Sequence, residues 1–135
     1  MDDLTLEVDD DAFKIAIYHP EDSEKYLYPF LKEFEKYNLE VVVSGKYWVD
    51  IMNKNINKGK AVEILQNLLN ISPTQTMSFG DYMNDIQMLK NSKYSYAMQN
   101  AHPAVKEAAN YEATSNDDFG VLKTIRERIF LFDQN

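Results

Sequence analysis

The sequence predicts an α/β protein with a partial doubly wound parallel sheet, preceded by a smaller α/β piece. Two observations carry this reading. From residue 57 onward, segments with helical spacing of apolar side chains alternate with short apolar runs of strand length, which is the rhythm of βαβ crossovers. Before residue 57 the order is instead strand, helix, strand, strand. With 135 residues, 44% of them hydrophobic, the chain can build one compact domain or two small lobes.

In the first part, residues 12–18 (AFKIAIY) alternate enough for a strand, which His19-Pro20 and the acidic Glu21 and Asp22 close. Across residues 23–37, Tyr26, Leu27, Phe30, Leu31 and Phe34 recur at three- and four-residue steps, one face of a single helix ending at Asn38. Residues 39–44 (LEVVVS) and 47–52 (YWVDIM) flank Gly45-Lys46 and read as a hairpin, with Ser44 at the turn. Tyr47 and Trp48 are candidate ligand contacts, one of them expected to be buried against the helix. A boundary at residues 53–57 separates segments 1–56 and 57–135.

In the second part, residues 58–69 are helical, 75–79 (QTMSF) form a strand, 82–90 a helix, and 94–98 (YSYAM) a strand. A short helix at 103–109, a brief strand at 111–114 and a final helix at 118–132 complete the order, with Asp117-Asp118 placing negative charge at the last helix's start. Met77, Met83, Met88 and Met98 are expected to fill core gaps.

Fourteen basic against twenty-two acidic residues give a net charge of −8, a field that disfavours nucleic acid and anionic membranes as partners. There is no cysteine, so neither a disulfide frame nor a thiolate metal site is possible. MDDLTLEVDDD lacks the basic-then-apolar pattern of a signal peptide, and no apolar run approaches the roughly 20 residues that cross a bilayer. A cytoplasmic location is the default expectation.

In a parallel sheet, ligands bind outside the C-terminal ends of the strands, beside the N-termini of the following helices. That rule selects Lys58, at a helix start, and Gly80-Asp81-Tyr82-Met83-Asn84-Asp85, at the exit of a strand. Carboxylates there are hard oxygen ligands suited to Mg2+, with Asp81 the leading ligand. Gly80 permits the tight exit, and Asn84 and Asp85 would complete the metal sphere or orient a lysine. Lys58 would hold a phosphoryl oxygen and offset transition-state charge. Each also has a plain structural reading: Asp81 as a helix cap, Asn84 and Asp85 as complements to a helix dipole, and Lys58 as a solvated lysine. His19 and His102 lie beside prolines with no partner at metal-ligand spacing, and read as solvated or capping residues.

The runs NKGKAVEILQNLLNI, MSFGDYMNDIQML and YAMQNAHPAVKEAANYEATSNDDFGV resemble the C-terminal third of the Cof-type sugar-phosphatase branch of the haloacid dehalogenase superfamily. The resemblance is continuous from Asn57 to about Ile125. It implies the C-terminal half of a Rossmann-like core over 57–135 and the end of an α/β cap domain over 1–56. It also implies a magnesium-dependent phosphatase of small phosphorylated metabolites such as sugar phosphates. By this resemblance Lys58 is the phosphate-binding lysine, Asp81 with Asp85 the metal carboxylates, and Asn84, Lys58 and Asn100 the substrate-binding residues.

The departure lies at the front. In that family a strand ending in Asp-x-Asp supplies a covalent nucleophile and an acid-base partner. Asp9-Asp10-Asp11 lacks the turn and helix that should follow and reads as a solvated acidic loop, and Ser44 falls in the cap rather than at the family's second motif. The expectation is therefore a fragment without its nucleophile, with weak or absent activity alone. The competing expectation is a non-catalytic binding or interaction module that keeps the fold and an acidic metal site. Either way the strand at 75–79 lacks a neighbour, which favours a homodimer or exchanged oligomer covering the open sheet edge.

Overall fold

The computed structural model describes residues 12–132. The acidic run Asp9-Asp10-Asp11 lies outside the described residues. The chain divides into two compact units, Met1–Asn55 and Ile56–Asn135.

In the first unit, β1 (Lys14–Tyr18), β2 (Leu39–Gly45) and β3 (Trp48–Asn53) form an antiparallel sheet in the order β1-β3-β2. Alternation puts Val41, Val43, Val49 and Ile51 on one face, and all four are buried. Full burial of such a side chain contributes about 1.5–3 kcal/mol. The hairpin is as expected, but its turn is Lys46-Tyr47 rather than Gly45-Lys46, because β2 runs on through Gly45 with an irregularity after Val43. Ser44 is thus a strand residue at that irregularity, not a turn residue. Tyr47 and Trp48 are both exposed, so neither is buried against a helix as expected.

The single helix expected at 23–37 is broken into α1 (Ser23–Tyr26), α2 (Tyr28–Leu31) and a 3-10 segment, Lys32–Tyr37. Pro29 is the cause. It has no N–H to give the carbonyl four residues back, and its ring crowds that carbonyl, so it is tolerated only in a first turn, where α2 places it. Ser23 anchors the segment: its buried hydroxyl lies 3.0 and 3.1 Å from the carbonyls of Gly45 and Trp48.

In the second unit, β4 (Met77–Gly80), β5 (Tyr94–Met98) and β6 (Tyr111–Ala113) form a parallel sheet in sequential order. The helices are α3 (Lys58–Leu69), α4 (Ile86–Lys90), α5 (Pro103–Ala108) and α6 (Gly120–Phe132). The expected parallel α/β class is therefore present, with shorter elements. A 3-10 turn at Pro73–Gln75, in which Ser72 N donates to Gln75 Oε1 at 3.0 Å, delays β4 to Met77. Another at Met83–Asp85 delays the next helix to Ile86.

Leu89 and Val105 are fully buried beside Tyr96, Ala97, Met98, Ala101 and Ala113, and Met77 packs against them. The register aligns Phe79, Tyr96 and Tyr111, whose rings stack across the three strands at 5.2 and 5.1 Å. Arg128 of α6 lies over Tyr94, Tyr96 and Tyr111 and donates from Nε to the Tyr96 hydroxyl at 2.6 Å. That bond raises the Arg128 pKa above its ordinary value.

Candidate active site

The site is assembled from three local choices in the second unit. Asn57 starts α3: its backbone is extended and its side chain accepts from Lys60 N at 2.9 Å, so the helix begins at Lys58. Gly59 then lets α3 approach α4, because a Cβ there would lie 2.5 Å from Gln87 Cβ. Asn91 Nδ2, donating to the Gly59 carbonyl at 3.0 Å, fixes the contact. Lys58 is thereby delivered to the C-terminal edge of β4, where its Nζ pairs with Asp85 Oδ1 at 2.5 Å.

Asp85 is the organiser of that edge. Its side chain is 6% exposed, and its Oδ2 accepts from the backbone N–H groups of Asp81 and Tyr82 at 2.9 and 3.3 Å. A buried carboxylate with three donors is stabilised by its own loop. Gly80 serves this arrangement in a way sequence reading misassigned. Among the described residues no glycine has a positive φ, so its role is not conformational freedom. A Cβ at Gly80 would stand 2.5 Å from Asp85 Cβ; the missing side chain is room for the carboxylate.

Asp81 differs from Asp85 in being exposed at the strand exit. Its carbonyl accepts from His102 N at 2.9 Å, which ties the loop after β4 to the loop after β5. One exposed carboxylate at a strand end suits magnesium, which takes one or two protein carboxylates together with water and phosphate oxygens. Among the described residues no three acidic, histidine or cysteine side chains converge on one point, so Asp81 would supply one ligand of a shared sphere.

The sequence pattern of the haloacid dehalogenase-like hydrolases matches residues 1–125. The chain belongs to that family. It is 39% identical over 84 residues to the 5-amino-6-(5-phospho-D-ribitylamino)uracil phosphatase YbjI of Escherichia coli (strain K12), covering 62% of this chain and 31% of that protein. It superposes on the crystal structure of SMU.1108c from Streptococcus mutans UA159 with a TM-score of 0.79 and 39% identity, over 87% of this chain and 44% of that one. A structure described as the subclass IIB sugar phosphatase BT4131 matches with a TM-score of 0.67 and 27% identity, over 85% of this chain and 42% of that one. The chain thus spans about a third of the length of the curated relatives it matches, and under half of these solved structures.

Within this family member, the structure brings Lys58, Asp81 and Asp85 to one edge, with Asn84 half-buried in the turn between the two aspartates. Asn100 is exposed in the turn after β5, which the His102 N–H joins to the Asp81 loop. Asp85, expected as a second metal carboxylate, has both oxygens engaged by Lys58 and the backbone. His19 and His102 act as turn and cap acceptors: His19 Nδ1 receives Glu21 N and Asp22 N, and His102 Nδ1 receives Ala104 N. Tyr47 and Trp48 belong to the first unit. The packing role of Gly59 was not read from the sequence; its one signal is a small residue inside a helix's first turn.

Proposed function

We propose that this chain is the phosphate- and metal-holding part of a magnesium-dependent phosphatase acting on small phosphorylated metabolites such as sugar phosphates, and that it works with an aspartate nucleophile it does not itself supply. The observation that carries the reading is the Lys58–Asp85 pair beside the exposed Asp81 carboxylate, all at the C-terminal edge of a parallel sheet. Segment 57–135 then serves as part of the core domain and 1–56 as part of the cap.

Asp81 would hold the magnesium through its carboxylate. When bound, the ion would neutralise charge on the phosphoryl oxygens. Asp85 holds Lys58 by one oxygen and the Asp81 loop by the other, so the ammonium and the metal carboxylate share one support. The Lys58 side chain is 52% exposed, which leaves N–H donors facing solvent for a phosphoryl oxygen. Asn84 and Asn100 would line the rim and hydrogen-bond the substrate.

A generic phosphate ester with magnesium tests this. This chain alone should hydrolyse it weakly or not at all, and a form extended by a strand ending in Asp-x-Asp should hydrolyse it well. An extended form that folds, carries that strand and stays inert would favour a non-catalytic binding module instead.

The same reading covers assembly. β4 ends the order of its sheet among the described residues, and Ser78 on it has a buried hydroxyl without a hydrogen-bond partner. Unprotected edges recruit further strands. We therefore place a homodimer or exchanged oligomer on this edge when the chain is alone, to be read by light scattering at micromolar concentration; a stable monomer would refute it. Among the described residues no helix is long and apolar enough to cross a membrane. The proposed location is cytoplasmic.

A further inference from the structure

Four non-glycine residues among those described have positive φ, and three are asparagines, the residue type that tolerates it. The fourth is Phe119, at φ 57 and ψ 36, a residue 71% exposed. A bulky side chain in the left-handed region is strained, and such strain persists only where the surroundings impose it.

The surroundings here do impose it. The N–H groups of Asp118 and Gly120 both donate to the Ser115 carbonyl at 3.1 and 3.0 Å, and Phe119 N donates to the Asn116 carbonyl at 3.1 Å. A Cβ at Gly120 would lie 1.9 Å from the Thr114 carbonyl oxygen, so glycine is required one residue later and the turn cannot relax there. Core packing does not explain the phenylalanine, since its ring is displayed to solvent. Glycine or asparagine would satisfy the backbone at lower cost.

Its place explains it. Phe119 lies in the turn after β6, and in this parallel sheet that turn shares an edge with Asp81 and Lys58. Phe119 follows the end of β6 by six residues, and two strand spacings separate the end of β6 from the end of β4, roughly 10 Å. That is the reach of a sugar-sized or aromatic group attached to a phosphate held beside β4.

The geometry points to Phe119 as an aromatic contact for the organic part of the phosphorylated substrate, so that the site favours esters with an apolar or ring face over small hydrophilic ones. This rests on the phosphohydrolase reading above. The ring is held out by the strained turn and packs against the substrate's face.

The test is calorimetric binding of phenyl phosphate and of inorganic phosphate, each with magnesium, to the full chain and to its Phe119→Asn and Phe119→Leu variants. The wild-type chain should prefer phenyl phosphate by roughly threefold to tenfold, the range of one aromatic contact. Phe119→Asn should lose that preference, keep inorganic phosphate binding, and melt at the same or a higher temperature because the strain is relieved. Phe119→Leu should keep part of the preference. If Phe119→Asn retains the full preference, or the wild type shows none while binding inorganic phosphate, the role of Phe119 is wrong and the functional reading stands. If the wild type binds neither phosphate, both fall.

Discussion

The two units each contain a lysine-aspartate pair of nearly the same make-up. Lys14 and Asp50 meet at 3.3 Å in the first unit, with side chains 50% and 8% exposed. Lys58 and Asp85 meet at 2.5 Å in the second, with 52% and 6%. Residue types and burial therefore do not distinguish them; their settings do. Asp50 sits mid-strand, opposite Ala16 and Val42 on the face of an antiparallel sheet, so its ion pair closes within the sheet. Asp85 sits past the end of a parallel strand, also receives two backbone N–H groups, and holds a loop that presents Asp81. On the proposed reading, a buried carboxylate serves a site where it shapes a strand-end loop and stays structural where it fills a gap in a sheet face.

The largest separation between the two should come from removing the carboxylates. Asp85→Ala strips acceptors from two backbone N–H groups and from Lys58, and should destabilise the chain by about 3 kcal/mol in urea unfolding while abolishing phosphate binding. Gly80→Ala should come next, at about 1–3 kcal/mol, because the added methyl displaces Asp85. A Gly80→Ala chain with unchanged stability would show that Asp85 is not confined as described.

Much of this was legible in the sequence. Apolar periodicity locates every strand and helix of the second unit to within a few residues, because each element buries one face. The broken helix was not legible, because Tyr26, Leu27, Phe30 and Phe34 keep helical spacing straight through Pro29; side-chain period does not register a missing N–H. Lys58, Asp81 and Asp85 were legible as strand-edge residues, but the Lys58–Asp85 pairing spans 27 residues, and the spatial roles of Gly59 and Gly80 appear only once the helices are packed. The Lys14–Asp50 pair spans 36 residues and joins two strands with no sequence signal. Phe119 carries none either, since a left-handed phenylalanine is against the grain of residue preference.

A smaller effect sharpens the comparison from the other side. Asp50→Asn keeps the shape of the side chain and loses one pairing with a half-exposed lysine, so it should cost about 1 kcal/mol and leave magnesium and phosphate binding as they were. Weakened phosphate binding in Asp50→Asn would mean that the first unit's pair is not merely structural.

The smallest stability effect and the most informative binding effect belong to Asp81. The side chain is exposed, so Asp81→Ala should change stability by under about 0.5 kcal/mol. Calorimetric titration of magnesium into the wild-type chain and into Asp81→Ala therefore tests the site without unfolding it. Weak binding to the wild type that disappears in Asp81→Ala is the predicted result, and magnesium binding of equal strength in the two chains would contradict it.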